Sequence, residues 1–255
     1  MDMDMDKLFD IAGKKVIVTG GSRGLGKGMA KGFHDAGCEV VIMGTNEKVK
    51  ATAEELSAED NKVHAVICDF SNTNDVERAF YEAIDFLGGD LDVLVNNAGT
   101  QIRHPAAEFP LEDWQKVLNI NLTAAFILTQ LAGKIMLPKG YGKIINTASL
   151  ITFSGGMFIP AYAAAKGGIG QITKSFCNEW ASKGINVNAI APGYMATDNL
   201  KGLDDERMRT IMDRLPVQRL GTPEDMVGPA LFLASSASDY IHGTILLVDG
   251  GWMAR

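Results

Sequence analysis

The sequence predicts a single-domain α/β protein, built on a doubly wound parallel sheet of seven strands with helices on both faces. Seven short apolar runs alternate with longer segments of helical periodicity, which is the pattern of successive βαβ units. A glycine-rich turn follows the first run. Of the 255 residues, 46% are apolar, and no linker rich in Pro, Ser or charge divides them. One large core is therefore expected.

The predicted elements follow one another in regular order. Strands are expected at 14–19, 39–43, 62–67, 91–95, 142–147, 185–190 and 244–248. Helices are expected at 24–36, 47–58, 73–87, 111–137, 160–183 and 222–234. Right-handed crossovers would place these helices on both faces of the sheet. A ligand should then bind beyond the carboxyl ends of the strands, at the residues that directly follow each strand.

Five predicted strand ends carry small, polar or turn-forming residues. A purely structural sheet can also have polar loops, so this pattern supports a ligand site without establishing one. The five ends are the glycine loop at 20–26, Asp69, Asn96-Asn97-Ala98-Gly99, Thr147-Ala148-Ser149 and Ala191-Pro192-Gly193-Tyr194.

The composition excludes several classes of protein. The net charge of −7, with acidic residues spread along the chain, argues against a nucleic-acid binder. Three widely spaced cysteines, Cys38, Cys68 and Cys177, predict neither a disulfide framework nor a metal site. No apolar run reaches the length of a membrane span, and the acidic start MDMDMD lacks the features of a signal peptide. We therefore expect a cytoplasmic protein without a membrane partner, with a flexible tail at 1–8 and one domain at 9–255.

The glycine loop TGGSRGLGKG, from Thr19 to Gly28, allows three interpretations. It fits the first seven positions of the nucleoside-triphosphate loop GxxxxGK, but the eighth position, which should bind magnesium through Ser or Thr, is Gly28. The spacing of Gly20, Gly24 and Gly26 is one residue wider than GxGxxG. It favours a dinucleotide pyrophosphate held at a helix N-terminus. A structural turn with extra glycines is the third interpretation.

A Tyr and a Lys lie four residues apart at the start of a predicted helix. Tyr162 and Lys166 therefore share one face, which the intervening alanines leave uncluttered. An ammonium group beside a phenol lowers the phenol pKa from about 10, which suits Tyr162 to act as general acid in reduction and general base in oxidation. Such pairs also arise by chance, so the evidence lies in the residues around them.

Two further polar residues could assist this pair. Ser149 follows the fifth predicted strand, and its hydroxyl group would hold a substrate oxygen while Tyr162 transfers the proton. Asn121 lies inside a predicted helix, where Asn is mildly unfavourable, and a water held there would relay protons toward Lys166. As structural alternatives, Ser149 would cap a turn and Asn121 would bond only within its helix.

Taken together, these motifs resemble the short-chain dehydrogenase/reductase family, from about Phe9 to Arg255. The resemblance implies a single Rossmann domain, usually in a homotetramer, with Asn121, Ser149, Tyr162 and Lys166 as catalytic residues. Lys166 would also hold the nicotinamide ribose. The motifs that carry the resemblance are Thr19-Gly20-x-x-x-Gly24-x-Gly26, Asn96-Asn97-Ala98-Gly99, Asn121, Ser149, Tyr162-x-x-x-Lys166 and Pro192-Gly193.

The resemblance also implies a nicotinamide cofactor site. The loop glycines would line the pyrophosphate. Asp69 and Asn97 would flank the adenine and its ribose, and Thr197 would meet the carboxamide. The predicted cofactor-binding residues are Gly20, Ser22, Arg23, Gly24, Leu25, Gly26, Thr45, Asp69, Phe70, Asn97, Ala98, Gly99, Tyr162, Lys166, Pro192, Gly193, Met195 and Thr197.

The type of dinucleotide stays open. The second strand ends in Met43-Gly44-Thr45-Asn46, without the acid that would repel a 2′-phosphate, and Arg23 could pair with one. Both facts favour NADP(H). Segments 188–197 and 235–255, however, resemble the sugar-acid members of the family, which typically use NAD. NAD(H) and NADP(H) are both retained here, with NAD favoured.

That resemblance implies hydride transfer between the nicotinamide and a secondary alcohol or ketone of a sugar acid, such as 2-deoxygluconate or 2-dehydro-3-deoxygluconate. Arg103 would bind the carboxylate through two parallel hydrogen bonds. A 3-oxoacyl-carrier-protein reductase is the alternative enzyme, and a non-catalytic dinucleotide-binding regulator is the alternative of another class. The predicted substrate site comprises Arg103, His104, Ser149, Tyr162 and Tyr194, beneath a lid at 194–216.

Overall fold

The computed structural model describes residues 5–197 and 204–255, and it confirms the predicted fold class. The described strands form one sheet in the order β3-β2-β1-β4-β5-β6-β7, and every neighbouring pair is parallel. The chain reverses its direction of travel across the sheet between β1 and β4, where open α/β sheets bind ligands. The strands are β1 (Lys15–Thr19), β2 (Glu39–Gly44), β3 (His64–Ile67), β4 (Val93–Asn96), β5 (Gly142–Thr147), β6 (Ile185–Pro192) and β7 (Ile245–Val248).

Two layers of helices cover the sheet. In β1, Ile17 packs into the core cluster under α4, α6 and α7, whereas Val16 and Val18 pack into the cluster under α2, α3 and α9. Both faces of this strand are buried, as a parallel sheet requires. The helices are α1 (Met5–Phe9), α2 (Gly24–Asp35), α3 (Lys48–Leu56), α4 (Thr73–Phe86), α5 (Leu111–Leu118), α6 (Ala124–Lys139), α7 (Pro160–Trp180), α8 (Asp205–Arg214) and α9 (Val227–Ala234).

Three elements differ from the sequence-based prediction. The helix predicted at 111–137 is divided into α5 and α6 by a π-helical turn, Asn119–Thr123. The helix predicted at 222–234 begins as a 3-10 turn, Pro223–Met226. The segment predicted as a tail contains α1, whose Leu8 carbonyl accepts a hydrogen bond from the Ser236 hydroxyl at 2.9 Å. Residues 198–203 of the predicted lid lie outside the described part of the chain.

The helical segment 111–139 is long and apolar enough, by composition alone, to cross a membrane. By this measure, the expectation that no apolar run reaches the length of a membrane span is not met. Half of its most apolar stretch is buried inside the protein, where Leu128, Leu131 and Met136 belong to the core cluster against the sheet. Its apolar character is thus that of a core helix.

Candidate active site

The glycine loop adopts a conformation that favours glycine. Gly20 and Gly24 have φ values of +66° and +54°, in the left-handed region. At Gly26, in the first turn of α2, an added Cβ would lie 2.2 Å from the Gly20 carbonyl oxygen. The side chain of the N-cap residue, Arg23, makes no capping hydrogen bond to α2, so the first N–H groups of this helix can be met by an anion. The loop fits a pyrophosphate cradle.

Replacing Gly26 by Ala is expected to raise the Kd of the cofactor about 10-fold or more. The new methyl group would overlap the Gly20 carbonyl and would lie 2.5 Å from the Asn97 side-chain nitrogen, so the loop must move. Overpacking of this kind costs about 1–3 kcal/mol. Fluorescence titration with NADH and NADPH measures the effect. Gly228→Ala is the matched control, because an added Cβ there meets nothing within 4 Å; equal affinities in the two variants would contradict the prediction.

Gly28, whose missing hydroxyl argued against a triphosphate loop, has a packing role. An added Cβ at this position would lie 2.7 Å from the Cβ of Pro223, at the start of the 3-10 turn before α9. A side chain at this position would push the two elements apart. Close packing therefore accounts for glycine at the position where a triphosphate loop needs its magnesium ligand.

A reciprocal set of hydrogen bonds fastens the glycine loop to the turn after β4. The Asn97 side-chain nitrogen donates to the Thr19 carbonyl at 2.9 Å and to the Gly20 carbonyl at 3.4 Å. In return, the Thr19 hydroxyl accepts from the backbone N–H groups of Asn97 and Ala98, both at 2.9 Å. Asn97, which is predicted to contact the cofactor, thus maintains the conformation of the glycine loop through these hydrogen bonds.

The predicted adenine-side residues are only partly suited to contact a ligand. Thr45 and Arg23 are exposed. The Asp69 carboxylate accepts hydrogen bonds from the Ser71 N–H and hydroxyl, at 2.9 and 2.7 Å. Phe70 is only 3% exposed, and its side chain packs in the core. Its backbone alone remains for contact with the cofactor.

The loop after β6 approaches the glycine loop. The methyl carbon of Thr197 would lie 3.7 Å from a Cβ built on Gly24, so these two predicted cofactor residues are neighbours in space. The Gly193 N–H donates to the Val248 carbonyl at 2.9 Å, which ties this loop to β7. Met195, in contrast, is 5% exposed and packs in the core with Leu25, so its side chain supports the loop from behind.

Ser149, Tyr162 and Lys166 converge at the carboxyl end of β5. Tyr162 lies in the first turn of α7, and the Ser149 hydroxyl group acts on its phenol in favour of the phenolate. Lys166 is one turn further on and 4% exposed; its Nζ donates to the Thr147 carbonyl at 2.6 Å and lies 5.7 Å from the centre of the Tyr162 ring. Burial lowers the pKa of Lys166 to about 8. The chain thus places a phenol, a hydroxyl and an ammonium group together.

The predicted lowering of the Tyr162 pKa is not found. Burial raises the pKa of this phenol, and only the hydrogen bond with Ser149 opposes the rise. The Lys166 ammonium donates its short hydrogen bond to the Thr147 carbonyl, and not to the phenol oxygen of Tyr162. Within the protein itself, Ser149 is therefore the group that favours the phenolate.

Asn121 occupies the π-helical turn rather than a regular helix. Its Nδ2 donates to the carbonyls of Val117 and Thr100, at 2.8 and 2.9 Å, and its Oδ1 accepts from the Thr100 N–H at 3.1 Å. Gly99 leaves room for this, since an added Cβ there would lie 2.7 Å from Oδ1. The Asn121 side chain thus forms hydrogen bonds both within its own helix and to the loop after β4. Neither of its N–H groups is left to bind a water.

The predicted substrate residues fall in different environments. Arg103 is exposed. The His104 ring nitrogen Nε2 lies 2.7 Å from the Asp113 carboxylate, and its backbone N–H donates to the Phe158 carbonyl at 3.1 Å. His104 is thus held in place by the protein, while its backbone bond brings Arg103 beside the segment that leads into α7 and Tyr162.

The last predicted substrate residue, Tyr194, belongs to an aromatic stack near the C-terminus. Its ring centroid lies 4.6 Å from that of Trp252, and the Arg214 guanidinium lies 4.3 Å from the Trp252 ring. Arg214 ends α8, so the stack joins the loop after β6 to the described part of the predicted lid. Arg214 and Trp252 are not among the predicted site residues, because nothing in the local sequence signals a contact between segments so far apart.

Comparisons with known proteins agree with this arrangement. Residues 20–253 match a family model described as enoyl-(acyl carrier protein) reductase. A 2-dehydro-3-deoxy-D-gluconate 5-dehydrogenase from Pseudoalteromonas atlantica is 47% identical over 97% of this chain and 98% of its own. The Bacillus subtilis protein of the same name is 45% identical, over 97% of each chain.

Solved structures show the same likeness. A gluconate 5-dehydrogenase from Burkholderia cenocepacia, in complex with NADP and tartrate, superposes with a TM-score of 0.92 at 35% identity, over 98% of each chain. A putative 2-deoxy-D-gluconate 3-dehydrogenase from Agrobacterium tumefaciens, with bound NADP, superposes with a TM-score of 0.90 at 44% identity. The match covers 97% of this chain and 99% of that one. With its parallel sheet, glycine loop and Ser-Tyr-Lys cluster, the chain belongs to the short-chain dehydrogenase/reductase family.

Proposed function

We propose that this protein transfers hydride between a nicotinamide cofactor and a secondary alcohol or ketone of a deoxysugar acid, with 2-dehydro-3-deoxy-D-gluconate as the expected substrate. The observation that carries the chemistry is the convergence of the Ser149 hydroxyl, the Tyr162 phenol and the buried Lys166 ammonium at the carboxyl end of β5. The sugar-acid substrate is supported by near full-length relatives that carry this activity in their names.

The residues present fit a dinucleotide. The loop at 20–26 would hold the pyrophosphate on backbone N–H groups, and the Lys166 ammonium would bind the nicotinamide ribose. The bound nicotinamide supplies or accepts the hydride. In reduction, the Tyr162 hydroxyl gives its proton to the carbonyl oxygen, while the Ser149 hydroxyl donates a hydrogen bond to the same oxygen. In oxidation, the Tyr162 phenolate removes the proton from the alcohol.

A proton relay through Asn121 would use its backbone. Its side chain is committed to three hydrogen bonds with protein groups. A π-helical turn rearranges the ordinary backbone hydrogen bonds of a helix, and such turns are frequent at functional sites. We therefore assign the relay to a water at the carbonyl of this turn, which leads toward Lys166.

Replacing Arg103 by Ala is expected to raise KM for the sugar acid about 10- to 100-fold, with kcat little changed. A bidentate guanidinium–carboxylate contact is a charge-assisted bond of about 1.5–3 kcal/mol, and its loss affects binding of substrate and transition state alike. Steady-state kinetics with 2-dehydro-3-deoxy-D-gluconate measure it. Arg219→Ala is the control, since that arginine pairs with Asp225 at 2.6 Å. An unchanged KM in Arg103→Ala would remove Arg103 from the substrate site.

A second candidate substrate is a 3-oxoacyl thioester, because the matching family model is described as an enoyl-(acyl carrier protein) reductase, an enzyme of acyl thioesters. Initial rates with 3-deoxy-D-glycero-2,5-hexodiulosonate and with a 3-oxoacyl thioester, each with NADH and NADPH, separate the two. A rate with the sugar acid alone supports the proposal, and a rate with the thioester alone overturns it. The same rates compare the cofactors. NAD remains the expected one, although Arg23 and the absence of an acid after β2 suit a 2′-phosphate.

We propose a cytoplasmic homotetramer, with the 194–216 segment as its substrate lid. Phe126 on α6 is 41% exposed and lies 5.8 Å, between ring centroids, from Phe176 on α7. These rings, with Ile127, offer an apolar face to a second copy. Trp180, on the same helix as Phe176, is 6% exposed and packs over Gly133, so it supports the face from within. A monomer in sedimentation at micromolar concentration would contradict the assembly.

A further inference from the structure

The turn after β5 is held closed by Thr152. Ser149 caps a short 3-10 turn, Leu150–Thr152, and its Oγ accepts a hydrogen bond from the Ile151 N–H at 3.2 Å. The Ser149 N–H in turn donates to the Thr152 hydroxyl oxygen at 3.2 Å. This is a capping box, in which the first and last residues of a turn satisfy each other. The backbone position of Ser149 is therefore fixed by the Thr152 hydroxyl.

The same hydroxyl also binds the helix that carries the other two groups of the site. The Thr152 Oγ1 donates to the Lys166 carbonyl at 2.9 Å. A hydroxyl group has one proton and two lone pairs, so it can accept from Ser149 and donate to Lys166 at once. One oxygen atom thus joins the Ser149 turn to α7, at the turn directly after Tyr162.

The methyl group of Thr152 is also in contact with α7. A Cβ added at Gly170, one turn beyond Lys166, would lie 2.8 Å from the Thr152 methyl carbon. Gly170 thus lets the turn approach the helix closely. Because χ1 of a β-branched side chain is restricted to few rotamers, contacts on both the methyl and the hydroxyl hold this orientation.

We propose that Thr152 is a positioning residue, whose hydroxyl sets the Ser149 turn at hydrogen-bonding distance from Tyr162. The inference rests on the proposed function, in which Ser149 and Tyr162 act on the same substrate oxygen. Thr152 touches neither substrate nor cofactor in this scheme. It acts by fixing the Ser149 turn against α7.

Removing the hydroxyl should affect catalysis in a specific way. The Ser149 hydrogen bond favours the phenolate form of Tyr162. If that bond is misaligned, the pH at which oxidation reaches half its maximal kcat should rise by about half a unit to one unit. Misplacement of the hydroxyl should also lower kcat about 10- to 100-fold. KM for NAD should change less than kcat, because the glycine loop that holds the pyrophosphate is not involved.

The test compares Thr152→Val, which keeps the shape and loses the hydroxyl, with Thr152→Ser, which keeps the hydroxyl. We measure kcat and its pH profile with 2-dehydro-3-deoxy-D-gluconate and NAD. The Val variant should show the shift and the loss, and the Ser variant should retain the wild-type profile. A wild-type profile in the Val variant, or the same shift in the Ser variant, overturns the proposal. Should the Val variant fail to fold, Thr152→Ala against Thr152→Ser isolates the hydroxyl in the same way.

Two controls separate the role of Thr152 from a general loosening of α7 and from the proposed function. Thr173→Val removes another hydroxyl bond of α7, to the Ile169 carbonyl at 2.8 Å, two turns beyond Lys166. It should lower stability without moving the pH profile, and a shifted profile there would mean that any loosening of α7 suffices. Tyr162→Phe tests the proposed function. An inactive Tyr162→Phe beside a wild-type profile in Thr152→Val rejects the role of Thr152 alone.

Discussion

Tyr162→Phe is expected to lower kcat about 10²- to 10⁴-fold, the contribution typical of a positioned general acid or base. The substitution removes one oxygen atom and keeps the ring beside Lys166. Binding of the cofactor should therefore change little, and the Kd for NADH from fluorescence titration should stay within about threefold. Initial rates of NADH oxidation with 3-deoxy-D-glycero-2,5-hexodiulosonate measure the loss.

Tyr141→Phe is the matched control for this substitution. Tyr141 is also partly buried beside a lysine, since the Lys14 ammonium lies 4.4 Å from its ring centre and donates to its hydroxyl. Burial raises the pKa of Tyr141 to about 12. It directly precedes β5, at the end of the strand opposite Ser149. Its variant should keep kcat within about twofold. Retention of more than a third of the wild-type rate by Tyr162→Phe would exclude Tyr162 as the proton donor.

Lys166→Met is expected to lower kcat/KM about 10²- to 10³-fold, as does the loss of one positioned donor in other sites. The ammonium is buried, and it has a short bond to the Thr147 carbonyl. Methionine matches its length but cannot bind a ribose hydroxyl. The loss should appear in KM for the cofactor as well as in kcat. A change in kcat alone, with cofactor affinity untouched, would contradict the role in ribose binding.

The same variant tests the buried charge through stability. Burial lowers the pKa of Lys166 from 10.5 to about 8, so between these values the unfolded chain binds more protons than the folded one. Stability contributed by this group therefore rises with pH across that window. Relative to Lys166→Met, the wild-type free energy of unfolding should increase between pH 7 and pH 10, in total by about 2–4 kcal/mol. Urea unfolding at a series of pH values measures it; parallel curves would mean that the amine titrates normally.

Elements with a local cause were predictable from the sequence. The strands around Val16–Val18 and Val93–Val95 are apolar on both faces, and the left-handed φ of Gly20 and Gly24 suits glycine, so residue type alone identified them. The four-residue spacing of Tyr162 and Lys166 needed only the period of a helix. For these parts, each residue's own preference agrees with the fold.

Features with a distant cause were not predictable. The π-helical turn at Asn121 accompanies hydrogen bonds to Thr100, a residue 21 positions away on another loop. The burial of Phe70 follows from its packing partners. The pKa of Tyr162 depends on how deeply this side chain is buried when α7 packs in place. Thr152 is intermediate. Its three-residue spacing from Ser149 is that of a capping box, but the bond to Lys166 appears only when β5 and α7 meet.

The bonds between Thr19 and Asn97 also bear on how the protein forms as it is synthesised. They span 78 residues, so a chain that has emerged only as far as residue 90 contains every glycine of the loop and lacks the amide that shapes it. Closing such a separation is entropically unfavourable until the sheet assembles around it. We therefore expect cofactor to bind nascent chains only after β4 has left the ribosome and paired with β1. Ligand added during translation would then select the assembled sheet, and not the partial sheet of β1, β2 and β3.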